Sequence, residues 1–178
     1  VGSGPARRIE VPILSQVPGL AHLFTVRGSD ARAALAESMG RPVPLLSLRQ
    51  VHGADVRVVD GRALTADPGG TLRPPAAEEG DAQVVAEPGL AVGVWVADCV
   101  PVLICDETTR TAAAIHAGWR GTAKGIVGAA IAVLRSRYGA DAGALRVALG
   151  PSIGPCCFEV GNEVAEALLA SFPEAATC

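Results

Sequence analysis

Short, nearly continuous apolar runs recur along this chain and predict buried strands. Runs of four to eight residues rich in Val, Ile and Ala are typical of strands covered on both faces. The predicted strands are Leu45 to Leu48, Ala54 to Asp60, Ala82 to Ala86, Leu90 to Ala97, Val102 to Cys105, Thr111 to His116 and Leu145 to Leu149. The Gly- and Pro-rich stretch from Ala63 to Glu79 is predicted to be a surface loop.

Three other segments have the period of an amphipathic helix. The first is Asp30 to Met39, with Ser29 as its expected N-cap. The second is Thr122 to Tyr138 and the third is Asn162 to Phe172, and each is followed by Gly or Pro. Because strands and helices both recur, the sequence predicts an α/β fold with mixed, mostly buried sheets.

Composition limits the range of functions. The chain has 178 residues, of which 49% are hydrophobic and 19% charged, so residues 1–178 are expected to form one folded domain. The net charge of −3 argues against a nucleic-acid binder, which would normally be basic. The longest apolar segment, Leu90 to Cys105, contains Asp98 and Pro101 and is too short to span a membrane. We therefore expect neither a nucleic-acid partner nor a membrane partner.

The cysteines and the N-terminal residues bear on the compartment. No secretory signal is recognisable near the start, because Pro12 and Pro18 interrupt the apolar residues that follow Arg8. The five cysteines cannot all pair within one chain, and two of them, Cys156 and Cys157, are adjacent. We therefore predict a reducing, cytoplasmic setting, with Cys156 and Cys157 as packing residues.

Three residues at predicted strand ends form a candidate metal site. His52 precedes Gly53, His116 ends an apolar strand just before Ala117 and Gly118, and Cys99 comes at the end of another. Two imidazoles and a thiolate are a good zinc set that leaves one position for water or substrate. The wide spacing also fits a simpler interpretation, a packed cysteine and two hydrogen-bonded histidines.

A Gly-rich turn follows His116 and leads into a predicted helix. Its residues Gly118, Trp119, Arg120 and Gly121 could bind phosphate through free amides and a guanidinium, or form a plain turn with a solvated arginine. It lacks the second glycine and the Ser/Thr of a Walker A loop.

Two charged residues and two tryptophans complete the candidates. Asp98, next to Cys99, could be a general acid/base or could orient a ligand. Arg49 could reach the same pocket or be exposed on its strand. Trp95 is expected in the core, and Trp119 could stack on a ring substrate or cap the core.

Several segments together resemble one known family. They are Arg49 to Val56, Asp81-Ala82, Ala97 to Leu103, His116 to Thr122 and Gly150 to Gly161. In this order they resemble the laccase-domain (polyphenol oxidase-type) family, now regarded as zinc-containing purine nucleoside phosphorylases; some members are described as peptidoglycan editing factors. The resemblance runs from about His22 to Phe172. The family usually continues with a further segment, which we expect to be missing after Cys178.

The resemblance implies an α/β/β/α layered fold and Zn²⁺ held by His52, Cys99 and His116. It also implies phosphorolysis of adenosine, inosine and methylthioadenosine, with adenosine deamination as a second activity. On this hypothesis Arg120 and the amides after Gly118 hold phosphate, Arg49 assists, and Asp98 transfers a proton.

Other functions remain open at this point. Cys99 could instead be the nucleophile of an amidase that acts on a cell-wall peptide precursor, with His116 as its base. The chain could also be a metal-stabilised domain without turnover. A copper-dependent phenol oxidase is disfavoured, because three histidines are too few for a multicopper cluster. The sequence leaves the oligomeric state open.

Overall fold

The computed structural model describes residues 7–61, 64–66, 72–73 and 78–177. Its strands are β1 (Arg8–Ile9), β2 (Phe24–Thr25), β3 (Leu45–Leu46), β4 (Val56–Val59), β5 (Thr65–Ala66), β6 (Leu72–Arg73), β7 (Ala82–Val85), β8 (Ala91–Val92), β9 (Val100–Asp106), β10 (Thr111–Ala117) and β11 (Arg146–Leu149). Its α-helices are α1 (Pro12–Ser15), α2 (Ala31–Met39), α3 (Trp119–Ala123), α4 (Ile126–Tyr138) and α5 (Asn162–Ser171). Short 3₁₀ helices cover Ala142–Ala144 and Pro173–Thr177.

A five-stranded mixed sheet organises the molecule, in the order β11-β9-β10-β7-β4. The pairs β11–β9, β9–β10 and β10–β7 are antiparallel, whereas β4 runs parallel to β7. Among the described residues, β3 and β8 form a separate parallel pair, and β1–β2 and β5–β6 form antiparallel pairs. The predicted mixed sheet is confirmed.

The two faces of the main sheet carry different cores, because alternate side chains point to opposite faces. Val84, Ile104 and Ile115 face α4 and pack with its buried residues Ile126, Ala130 and Leu134. On the opposite face, Cys105 packs with Leu14 of α1 and with Phe24.

The smaller sheet β3–β8 lies over this second face. Gln83 alternates with the α4-facing Val84, and its Nε2 donates to the carbonyls of Leu46, at 3.4 Å, and Gly93, at 2.9 Å. Helix, main sheet and smaller sheet therefore lie in successive layers. The predicted α/β class is confirmed.

The prediction of a strand from Leu90 to Ala97 is wrong beyond Val92. Trp95 lies outside the strand and is 58% exposed, so the expectation that it belongs to the core is also wrong. The side chain of Gln50 explains the change. Its Nε2 donates to the Trp95 carbonyl at 2.8 Å and its Oε1 accepts from the Trp95 amide at 2.7 Å. The side-chain amide thus makes the two backbone hydrogen bonds that a neighbouring strand would otherwise make.

The predicted helix from Thr122 to Tyr138 is two helices. Helix α3 begins three residues earlier than expected, at Trp119, and α4 begins at Ile126. Gly125 between them has φ +79°, a left-handed conformation that ends α3 and that glycine adopts without strain.

Most of the predicted loop from Ala63 to Glu79 lies outside the described residues; the described part includes the pair β5–β6. Within the described ranges, no helix is both long and apolar enough to cross a membrane.

The N-cap of α2 is Asp30 and not the predicted Ser29. The Asp30 carboxylate accepts from the amides of Arg32, at 2.9 Å, and Ala33, at 3.1 Å, whereas the Ser29 hydroxyl donates to the Arg7 carbonyl.

Replacing an N-cap aspartate by alanine leaves these amides without a partner and costs about 1 kcal/mol. We expect Asp30→Ala to lower the free energy of unfolding by this amount in urea titrations. Ser29→Ala is the control, with an expected change within about 0.5 kcal/mol. An equal loss of unfolding free energy in the two variants would show that Asp30 is not the N-cap.

His22 is buried and is expected to make stability depend on pH. Its Nε2 accepts from the Val11 amide at 2.8 Å. Burial lowers the pKa of His22 below its usual value, and the Glu10 carboxylate only partly offsets this. Below about pH 6.5 His22 binds a proton in the unfolded chain, whereas in the folded chain it stays neutral until the pH is lower. The His22 contribution to stability is therefore complete above that pH and is lost as the pH falls towards the folded-state pKa.

The matched variant is His22→Gln, which keeps an acceptor but does not titrate. We expect the unfolding free energy to fall more between pH 7.5 and pH 5.5 in the original chain than in His22→Gln. Urea unfolding at the two pH values measures this, and identical falls would contradict the assignment.

Candidate metal centre

Three side chains from distant parts of the chain meet at one end of the main sheet. The ligand atoms of His52, Cys99 and His116 all lie within 4.8 Å of one another. The β9–β10 register sets His116 opposite Pro101, which places Cys99 at the same end of the sheet. His52 comes from the loop between β3 and β4.

The loop that carries His52 has an unusual local conformation. His52 has φ +58°, in the left-handed region that non-glycine residues rarely adopt. The amides of Val51, His52 and Gly53 converge on the carboxylate of Asp81, at 3.2, 3.0 and 2.7 Å. These hydrogen bonds hold the loop and compensate for the backbone strain at His52.

His116 is buried, with 3% of its surface exposed, and its ring is fixed on one side. Nδ1 lies 2.7 Å from Asp81 Oδ1, so Nε2 is the nitrogen left for a metal ion. The rings of His52 and His116 meet edge to face, with centroids 4.7 Å apart.

Two pKa shifts describe the electrostatics of the site. Burial disfavours the charged form of Asp81, but hydrogen bonds from His116 and from the three loop amides outweigh it and lower the pKa of this carboxyl below its usual value. Burial is the main cause that raises the pKa of the Cys99 thiol, and the carboxylates of Asp98 and Asp81 add to it. Without a nearby cation the thiol is therefore held in its protonated form, whereas Asp81 is ionised.

The residues present fit a metal ion. Bonds of about 2.0–2.3 Å at tetrahedral angles separate ligand atoms by about 3.4–3.6 Å, within the 4.8 Å limit found here. Gly118 borders the same space: a Cβ there would lie 3.1 Å from Cys99 Sγ and 3.1 Å from His52 Cδ2. A glycine at this position thus keeps the ligand side chains uncrowded.

The Gly-rich turn after His116 begins α3 beside these ligands. Gly118 is the N-cap, and the Arg120 guanidinium stacks 4.2 Å above the Trp119 ring. Gly121 is buried close to the loop of His52, because a Cβ there would lie 2.7 Å from the Gly53 carbonyl. Of the four predicted phosphate-binding residues, Gly118 and Gly121 therefore lie directly against the histidine segments, whereas Arg120 is exposed.

The two other predicted catalytic residues are at the surface. Asp98 is exposed next to Cys99, and its carbonyl accepts from the Ile153 amide at 3.0 Å. The side chain of Arg49 is 63% exposed and is ion-paired with Glu79. The structure therefore does not place Arg49 among the metal-binding side chains, and its catalytic role stays a prediction.

Two details of the sequence interpretation change. Cys156 and Cys157 are exposed, with their sulfurs 3.3 Å apart, so the prediction that they are packing residues is wrong. They lie in a turn on the surface, where no core is available to them. The sequence motifs assign no role to Asp81, although an acidic residue directly before a fully buried strand indicates a carboxylate with a structural partner.

Comparison with known proteins now identifies the family. The family model described as "Multi-copper polyphenol oxidoreductase laccase" matches residues 26–178. The chain belongs to this laccase family. The match confirms the resemblance seen in the sequence motifs.

Relatives in the laccase family have names that point to nucleoside chemistry. The chain is 42% identical to "Adenosine deaminase RL5" of an unknown prokaryotic organism over 80% of this chain and 53% of that protein. It is 43% identical to a purine nucleoside phosphorylase of Pseudomonas aeruginosa over 72% of this chain and 46% of that protein. The chain thus spans about half the length of these relatives.

A solved structure shares the fold. The crystal structure of YlmD from Geobacillus stearothermophilus matches with a TM-score of 0.66 and 33% identity, over 80% of this chain and 55% of that chain. This similarity agrees with the mixed α/β architecture described above.

Proposed function

We propose that this laccase-family chain is a zinc-dependent purine nucleoside phosphorylase that acts on adenosine, inosine and methylthioadenosine and also deaminates adenosine. The observation that carries the proposal is the convergence of His52, Cys99 and His116 beside Gly118, where any side chain would crowd them. The names of the relatives support it, because they include purine nucleoside phosphorylases and an adenosine deaminase. The proposed substrates are a purine nucleoside and phosphate.

The ligand residues favour zinc over copper. Two imidazoles and one thiolate suit Zn²⁺, which would act as a Lewis acid at the reacting group and lower the pKa of a bound water to about 7. A multicopper cluster needs many histidines, whereas this chain has three. The third, His22, is engaged elsewhere with the Val11 amide.

The start of α3 is the proposed phosphate site. The first amides of a helix have no partner within the helix, so those of Trp119 and Gly121 can donate to an anion. Arg120 adds a guanidinium suited to phosphate oxygens, and its position over Trp119 limits its movement. Holding phosphate near the anomeric carbon of the nucleoside supplies proximity to the displacement.

Two further residues have proposed roles in the same reactions. Asp98 is exposed beside Cys99, so its carboxylate can exchange a proton with solvent and with a substrate bound at the site. Arg49 is proposed as a second cation for phosphate, which requires that it leave Glu79 when substrate binds.

The test is to incubate the zinc-loaded protein with adenosine, with and without phosphate, and to separate the products by chromatography. Phosphate-dependent release of adenine is expected from phosphorolysis, and inosine from deamination. The absence of both products would overturn the proposal. Because the chain spans about half of its relatives, a longer chain from the same family is the positive control.

The alternative of a Cys/His amidase is disfavoured by the raised pKa of Cys99, since the thiolate is the nucleophilic form. Metal analysis separates the two hypotheses. Stoichiometric zinc that protects Cys99 from alkylation supports the metal site, whereas rapid alkylation of zinc-treated protein supports the nucleophile. Zinc that raises stability without any turnover would indicate a metal-stabilised domain.

Cytoplasmic location and the absence of nucleic-acid and membrane partners belong to the same proposal. The negative net charge supports the absence of a nucleic-acid partner. The four cysteines that the structure describes are all unpaired, which is compatible with a reducing compartment.

A further inference from the structure

Asp81 lies beside the metal site without being one of its three ligands. Its side chain is fully buried, with 0% of its surface exposed, yet it accepts hydrogen bonds from both histidine-bearing segments. One comes from the ring of His116. Three come from consecutive amides in the loop of His52, those of Val51, His52 and Gly53.

The main chain of Asp81 is held as firmly as its side chain. Its carbonyl accepts from the His116 amide at 2.7 Å, and its amide donates to the Asp55 carbonyl at 3.1 Å. The residue therefore joins the end of β10 to the loop before β4 through both backbone and side chain. The carboxylate has little freedom to move if one of its partners changes.

The four side-chain hydrogen bonds need an acceptor at both oxygens. Oδ1 is close to the His52 amide and to His116 Nδ1, and Oδ2 is close to the amides of Val51 and Gly53. An ionised carboxylate accepts at both atoms and donates at neither, so His116 Nδ1 must be the donor in its contact with Oδ1. The lone pair of Nε2 then faces the other ligands.

We propose that Asp81 is a positioning residue for the metal centre, which selects the Nδ1–H tautomer of His116 and folds the loop of His52 into its ligating position. The inference rests on the proposed function, because it requires that the three side chains hold a metal ion. Through one carboxylate, two of the three ligands are set before metal binds, so that binding does not have to order them.

Asp81→Asn separates this role from general packing, because the two side chains have nearly the same shape. An amide offers one accepting oxygen and one donating nitrogen. If the nitrogen lies at the Oδ1 position, the favoured tautomer of His116 reverses and places a proton on Nε2. If it lies at the Oδ2 position, it opposes the amides of Val51 and Gly53. Either arrangement weakens metal binding.

The experiment measures zinc affinity by competition with a chromophoric chelator and records the absorption spectrum of the cobalt-substituted protein. We expect Asp81→Asn to bind Zn²⁺ about 10- to 100-fold more weakly, with an altered cobalt–thiolate band. Nitrogen-15 NMR of the metal-free protein reads the His116 tautomer directly. We expect Nδ1–H in the original chain and a larger share of Nε2–H in Asp81→Asn.

Asp106→Asn is the matched control, since Asp106 is also buried and accepts from the Thr108 amide and the Thr109 hydroxyl. It should lower stability without changing zinc affinity or the His116 tautomer. Equal zinc affinity and an unchanged tautomer in Asp81→Asn would overturn the role of Asp81 alone. Failure of the original chain to bind zinc would overturn the proposed function and this inference with it. If Asp81→Asn does not fold, Nε2–H in the original metal-free chain refutes the inference.

Discussion

Cys99→Ala is expected to lower zinc affinity by about 100- to 1000-fold and to abolish nucleoside phosphorolysis. Zinc sites with four protein ligands bind with about 10–16 kcal/mol, so one ligand contributes on the order of 3 kcal/mol. The loss should be in the upper part of this range, because the thiolate is the only anionic ligand in the set of His52, Cys99 and His116. Chelator competition measures affinity, and chromatography of adenosine incubated with phosphate measures activity.

Cys105→Ala is the control for this prediction. Cys105 is a buried thiol near the far end of β9 from Cys99, where it packs with Leu14 and Phe24, so the same atom is removed without touching the metal site. It should lower the free energy of unfolding and leave zinc affinity unchanged. Zinc affinity in Cys99→Ala equal to that of the original chain would remove Cys99 from the ligand set.

Gly121→Ala is expected to destabilise the protein by about 1–3 kcal/mol, which is typical of an overpacked core. The new Cβ would lie 2.7 Å from the Gly53 carbonyl, and a backbone oxygen cannot rotate away as a side chain does. Helix α3 or the loop of His52 must therefore shift. Because Gly53 directly follows His52, the same shift should weaken zinc binding. Urea unfolding and chelator competition measure the two effects.

Gly128→Ala gives the contrasting result that makes this prediction specific. Gly128 lies in α4, and a Cβ there would meet nothing within 4 Å. Alanine is favoured over glycine in a helix by about 0.5–1 kcal/mol, so this variant should be more stable than the original. A Gly121→Ala protein as stable as Gly128→Ala would show that α3 does not pack against the His52 loop as described.

Local patterns in the sequence were sufficient for most of the main sheet. The apolar runs at β7, β9 and β10 exceed what a solvated segment would carry, so burial on both faces could be predicted and is observed. The run at β11 was predicted to be buried as well, but β11 is an edge strand and leaves Val147 38% and Leu149 69% exposed. The end of α4 was predictable because Gly139 supplies a left-handed C-cap, with φ +75°. The first residue of a helix could not be predicted where two neighbouring residues can both act as its N-cap, as Ser29 and Asp30 can before α2.

Trp95 and Gly125 show where local patterns failed. An apolar run predicts a strand at Trp95, but the Gln50 side chain, 45 residues away, satisfies its backbone instead. A glycine within a helical pattern is compatible with either a continuous or a broken helix, and only the packing of α3 beside the Gly53 carbonyl settled the break.

By itself the sequence determined the fold class, the family resemblance and the three residue types suited to a metal. Tertiary structure decided that His52, Cys99 and His116 meet, because strand register and the β4–β7 pairing bring together residues up to 64 positions apart in the chain. It also revealed Asp81, whose partners His52 and His116 lie 29 residues before it and 35 residues after it. Hydrophobic periodicity records which face of an element is buried, but hydrogen bonds between distant segments depend on how those faces pack.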